Sequence, residues 1–208
     1  MFDQLVKFFV VLLVVVEPLS LLPVLASLTE GSDDAYRRRM AFKAVAISAM
    51  VCLVFATGGT KLIELLGISV EAFKVGGGAL LFLLAIEMVF ARPSGARGTT
   101  PGEAAEAQAR DDISVFPLAF PFISGPGALA TILLAFAGVA VGSAQFFAQI
   151  GVILLVLGIA LALMLVTGPV MRVIGVTGAA VLSRLLGVLL AALAVQFIMD
   201  GIRVAFAA

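Results

Sequence analysis

Long apolar runs alternate with short polar ones along the whole chain. Residues from about Leu5 to Leu28, Met40 to Leu66, Val70 to Phe90, Phe116 to Leu133, Phe146 to Val166 and Ala179 to Phe206 are almost continuously hydrophobic. At 1.5 Å rise per residue, a helix of about 20 residues crosses a hydrocarbon core of roughly 30 Å, so six membrane-spanning helices are predicted. The loop Glu30 to Arg39 is polar and ends in Arg37, Arg38 and Arg39, while Arg92 to Asp112 mixes Pro, Gly, Thr and charge. Such composition cannot bury a core, so a solvated linker is expected there, dividing the chain into 1–91, 92–112 and 113–208.

Two of the runs carry punctuation that an ordinary spanning helix avoids. The stretch FPLAFPFISGPGALATIL contains Pro117, Pro121, Gly125, Pro126 and Gly127, and EPLSLLPVLASLT near the start contains Pro18 and Pro23. An interior proline removes a backbone donor and clashes with the preceding turn, so spans one and four are predicted to be broken helices. At membrane depth, irregular backbone is tolerated where it is buried in protein or lines a watery cavity. The spacing of Pro18 to Pro23 equals that of Pro121 to Pro126, and Leu66-Gly67-Ile68-Ser69 resembles Ile174-Gly175-Val176-Thr177. A repeat of three spans must enter the bilayer from opposite sides. The expected fold is therefore an all-α polytopic membrane protein of six transmembrane helices, arranged as two inverted three-helix repeats with helices 1 and 4 broken.

Composition agrees with the pattern: 62% of residues are hydrophobic, 12% are charged and mean hydropathy is +1.23, values that belong to a polytopic membrane protein. Zero net charge gives no reason to expect a nucleic-acid partner, and the lack of histidine excludes a histidine-ligated metal. Cys52 is the sole cysteine and reads as a packed thiol. One set of loops gathers most of the basic residues, among them Arg37, Arg38, Arg39, Arg172 and Arg184; the other face holds Lys7, Lys61, Lys74 and Arg203. The richer side should be cytoplasmic, which puts both termini on the extracytoplasmic side. Against a cleaved leader stand Asp3, the missing small-residue cleavage site and the continuation of the run through Pro18.

Candidate chemistry concentrates at the breaks. Glu17 lies roughly 18 Å into its span, near the midplane, where ionisable groups mark substrate or proton paths. Pro18 suits the first position of a new helix segment, whose positive end would favour the carboxylate. In the second break, a helix restarting at Pro126 would aim free amides past Gly125 and Gly127, as anion-binding helix N-termini do. Glu17, Pro18, Ser20 and Pro23 would thus face Pro121, Ser124, Gly125, Pro126, Gly127 and Thr131 across a pocket for a small zwitterionic amino acid. Gln196 and Asp200, one turn apart, read either as a gate or coupling pair or as an interfacial group with Arg203. Glu87 and Lys74 read as snorkelling or interface anchors. No nucleophile, base and orienting group occur together, so an enzyme is not expected. The motif Gly125-Pro126-Gly127 lies in a membrane span after no strand, and no P-loop is present, so nucleotide cofactors are not expected either.

These motifs resemble the MarC family of six-span prokaryotic inner-membrane proteins, a group also classed with small neutral amino-acid transporters. The resemblance rests on EPLSLLPVLASLT, the RRR loop, KVGGGALLFLLAIEMVF, FPLAFPFISGPGALATIL and LSRLLGVLLAALAVQFIMDGIR, and covers essentially the whole chain. It implies transport of small neutral amino acids such as glycine and alanine, coupled to a proton or sodium ion and with no resident cofactor. Taken with the two broken repeats, the expected protein is a secondary transporter working by alternating access, one repeat rocking against the other. It also implies a cell inner-membrane location. Glu17, Ser20 and Leu21 stand where the family commonly has Asp, Gly and Asn, departures that fall inside the expected pocket. An exporter or channel for another small solute, or a non-transporting scaffold, are the alternatives. The pairs Gly138/Gly142 and Gly187/Ala191 permit helix contacts within one chain or between copies.

Overall fold

Each helix begins and ends where local chemistry dictates. The computed structural model describes residues 2–91 and 112–207, so the predicted linker, Asp112 apart, lies outside the described residues. Helix α1 (Phe2–Val16) stops two residues before Pro18, and α2 (Leu21–Leu28) resumes after a turn. Helix α3 (Asp34–Leu65) starts at Asp33, whose carboxylate accepts from Tyr36 N at 2.7 Å. Ser69 caps α4 (Val70–Phe90), and Ser143 caps α7 (Ala144–Leu165), in the same way. Between α4 and α7 lie α5 (Ser114–Ile123) and α6 (Pro126–Phe136), and α8 (Thr167–Ala207) completes the described chain.

The order broken span, long helix, long helix occurs twice. Gly67 before α4 has φ +68 and Gly175 inside α8 has φ +65, a left-handed backbone that glycine adopts without penalty. The paired Leu-Gly-Ile-Ser and Ile-Gly-Val-Thr motifs therefore fold alike, and the sixth span effectively starts after Gly175. Among the described residues, five spans are long and apolar enough to cross a membrane, α1–α2 taken together, α3, α4, α7 and α8, or six when the bent α5–α6 pair counts as one. The outward faces of Val54, Leu83, Leu155 and Val188 are each more than half exposed. Such a surface suits lipid rather than water.

Packing runs between the halves rather than within them. The broken span α1–α2 rests on α7 and α8, and the equivalent α5–α6 rests on α3 and α4; α3 packs on α7, and α4 on α8. The α4–α8 contact is the most extensive and is set by glycines. A methyl built on Gly201 would lie 2.8 Å from Glu71 O, one on Gly78 2.9 Å from Ala194 O, and one on Gly187 3.1 Å from Ala85 O. The three pairs run in opposite directions along the two helices. Helices α4 and α8, equivalent in the repeat, are therefore antiparallel, as inversion of the second half requires. Gly187 serves this contact within one chain, whereas Gly138 and Gly142 are turn residues with φ +76 and +84. At the start of the second half, Asp112 takes an ion pair from Lys43 on α3 at 2.7 Å and hydrogen bonds from Ser114. The lysine first, and the serine after it, lower the Asp112 carboxyl to about 2.

Candidate functional site

The first break is built around Glu17. Its φ of +48 is left-handed, costly for a residue with a side chain, and its carboxylate is only 3% exposed. Its N–H still donates to Leu13 O at 2.9 Å, while its carbonyl accepts from Ser20 N at 3.0 Å. Glu17 thus closes α1. Pro18 does not open the next helix: it lies in the turn, and α2 begins at Leu21 with Pro23 in its first turn. The left-handed step at Glu17 and the Pro18 turn use up the residues that the sequence reading gave to the helix start. The carboxylate therefore sits at the negative end of the α1 dipole, an unfavourable place for an anion. Burial, strain and dipole all oppose a glutamate here.

The second break is more abrupt. Phe116 and Phe120 are extended, the peptide bonds to Pro117 and Pro121 are cis, and the chain turns by 55° between α5 and α6. Ser124 donates both its N–H and its hydroxyl to Ala119 O, each at 2.8 Å, and Ser48 adds a third, longer bond at 3.5 Å. The Ser124 hydroxyl is therefore engaged in holding the break. Gly125 follows because Pro121 O presses on the place a Cβ would occupy. Pro126 is the first residue of α6, which no side chain caps, so the amides of Gly127 and Ala128 point out of the helix start. Gly127 and Ala128 line a cavity of about 70 Å³ together with Val15, Leu80, Leu83, Leu84, Pro121, Gly125 and Pro126. A water needs roughly 10–15 Å³ by this measure, so the space admits a few small groups.

The predicted residues are distributed rather than gathered. Pro121, Gly125, Pro126 and Gly127 line the central cavity; Ser20 and Pro23 line a second, of about 200 Å³, with Glu87 and Ser183. Thr131 lines a third, of about 250 Å³, with Lys7, Lys74 and Gln149. Glu17, Pro18 and Ser124 line none of the three, though Val15, two residues before Glu17, would touch a methyl on Gly127 at 3.2 Å. Gln196 donates to Asp200 at 2.7 Å on α8, and no ion pair joins Asp200 to Arg203 among the described residues.

Lys74 and Glu87, expected from the sequence as anchors, line the cavities at opposite ends of α4; Lys7 enters the sequence analysis only as a charge that sets orientation, and Gln149 does not enter it. An amide inside the apolar run of α7 was the available signal for Gln149. It is 3% exposed, and its Nε2 donates to Ala135 O at 2.9 Å. No donor among the described residues reaches its Oε1. Leaving such an acceptor unmet costs about 1–3 kcal/mol.

The three cavities follow one seam. Along α4 they come in the order Lys74, Leu80 to Leu84, then Glu87 to Ala91. Phe197 of α8 joins the first and residues 176–183 the last, so α4 runs past all three cavities, α8 flanks the two end ones, and the broken spans, with α7 at the first, lie across from them.

Comparison with known proteins agrees with this architecture. The family model described as MarC family integral membrane protein matches residues 2–206. A UPF0056 membrane protein of Archaeoglobus fulgidus is 32% identical over 205 residues, covering 93% of this chain and 90% of the relative. The UPF0056 inner membrane protein YhgN of Escherichia coli K12 is 31% identical, with 97% of both chains covered. A UPF0056 membrane protein of Aquifex aeolicus is 34% identical over 95% of this chain and 92% of its own. No solved structure matches the chain. With its six spans, its two proline-broken segments and a match over nearly its full length, the chain belongs to the MarC family of integral membrane proteins.

Proposed function

We propose that the protein is a secondary transporter of small neutral amino acids such as glycine and alanine, working by alternating access rather than by catalysis. The observation that carries this reading is the line of three cavities along the seam between the α4–α8 pair and the broken spans. A solute path needs openings towards each face and a constricted centre, and here the constricted cavity lies at the second break, beside Val15 near the end of α1. The amides at the start of α6 favour a carboxylate, and the negative charge of Glu17 at the adjoining break favours an ammonium. The central cavity of about 70 Å³ restricts the solute to a small side chain.

Because one long helix of each half is joined to its counterpart through glycine contacts, the moving bodies are the α4–α8 pair and the remaining helices, in place of the one repeat rocking against the other expected from the sequence. A proton or sodium gradient supplies the energy. The location is a cell inner membrane, as the name of YhgN says of that relative, with the arginine-rich loop in the cytoplasm and both termini outside.

The test is uptake of labelled glycine and alanine into proteoliposomes, with and without an imposed proton or sodium gradient, for the wild type and Glu17→Gln. Gradient-driven accumulation in the wild type, lost in the variant, is expected. Full transport by Glu17→Gln removes the carboxylate from the mechanism. A folded protein that accumulates neither solute, and gains no thermal stability from them, rules out the amino-acid reading. Binding at 100 times Kd should add about 2.7 kcal/mol of apparent stability.

A further inference from the structure

The cavity of about 250 Å³ opens at the face opposite the arginine-rich loop, between the first turns of α1, α4 and α7 and the last turns of α6. That face is poor in basic residues, yet two of its lysines converge on this one cavity. Lys7 is held there by the Phe197 ring, its Nζ 5.2 Å from the centroid, and Lys74 comes from the opposite wall on α4. Gln145 donates to Gln4 at 3.4 Å, joining α7 to α1 beside it.

Deeper in the bundle the chemistry changes sign. The Thr131 hydroxyl gives its proton to Gly127 O at 2.8 Å, which leaves oxygen lone pairs, and Gln149 Oε1 has no donor among the described residues. No Asp or Glu is among the residues that line the cavity. Two cations therefore call for an anion, while two buried oxygens call for an N–H or O–H.

We propose that this cavity is a second solute subsite, in which Lys7 and Lys74 hold the carboxylate of a small acid and Gln149 Oε1, with Thr131, accepts from its ammonium or hydroxyl. Thr131 stands one helical turn beyond Gly127, so a solute leaving the subsite enters the central cavity along α6. The proposal deepens the transport reading and rests on it for the passage inward. The recognition chemistry, a small carboxylate bearing a neighbouring donor, is shared by amino acids and hydroxy acids, and the probes separate them.

Cys52, the sole thiol and 2% exposed, reports unfolding through a thiol-reactive fluorogenic dye. The unfolding midpoint of the purified full chain is followed against glycine, L-alanine, glycolate and L-lactate, for the wild type, Lys7→Ala/Lys74→Ala, Lys7→Arg/Lys74→Arg and Gln149→Leu. The expected result is stabilisation of the wild type by at least one pair of probes. The half-saturating concentration should rise tenfold or more in the alanine and leucine variants and return towards wild type with arginine. Equal half-saturation in the wild type and both weakened variants overturns the subsite, even where Glu17→Gln abolishes uptake and the transport reading stands. Lysine-dependent stabilisation by glycolate and lactate alone upholds the subsite and removes amino acids as its solute. Stabilisation by none of the four probes overturns it.

Discussion

Gly125 is the residue on which the second break turns. Its side-chain position is already taken by Pro121 O, a backbone atom that cannot swing aside, so even one added methyl must displace the break. Gly125→Ala should lower stability by about 1–3 kcal/mol, read from the unfolding midpoint in detergent, and should also reduce transport because the α6 amides shift with it. Glu17 presents the reverse case, a residue the fold tolerates at a cost. Gln keeps the volume and the left-handed step of this buried residue while removing its charge, so Glu17→Gln should lose transport with the protein still folded. The sequence made Glu17 conspicuous through its charge within an apolar run. It did not reveal which helix end the carboxylate would meet, because that depends on whether the chain turns before or after Pro18.

At the scale of elements, the glycines of α4 and α8 divide by what lies beside them. Gly187 faces Met88, Val89 and Ala85 O, whereas Gly76, in the same run as Gly77 and Gly78, has nothing within reach. Gly187→Leu should push α4 from α8 and lower stability by an amount at the upper end of the ~1–3 kcal/mol typical of overpacking; Gly76→Leu should leave the unfolding midpoint nearly unchanged. In the sequence Gly76, Gly77 and Gly78 are consecutive and indistinguishable. Only the direction of each Cα on the assembled helix separates the contact from the lipid face. The breaks themselves were legible, since prolines and glycines act on backbone within a turn of where they stand. The 55° bend of the fourth span was not, because its angle is fixed by α3 and α4 packing around it.

For the whole molecule, the interlaced halves specify what can move. A short, reducible cross-link between Leu84→Cys on α4 and Ala128→Cys on α6, in a Cys52→Ala background, spans the seam beside the central cavity. It should arrest uptake, and reduction should restore it; uptake that continues while the link is intact would place the moving boundary elsewhere. The sequence by itself determined six apolar spans, two proline-broken segments and their repeat, because hydropathy and backbone punctuation are local properties of the chain. Only the tertiary structure decided that Ser20 and Pro23, Gly125 to Gly127, and Thr131 belong to three cavities, and that Lys7, Lys74, Glu87 and Gln149 stand beside them. A side chain's place in a cavity is set by the helices across from it, and here those helices come mostly from the other half of the chain.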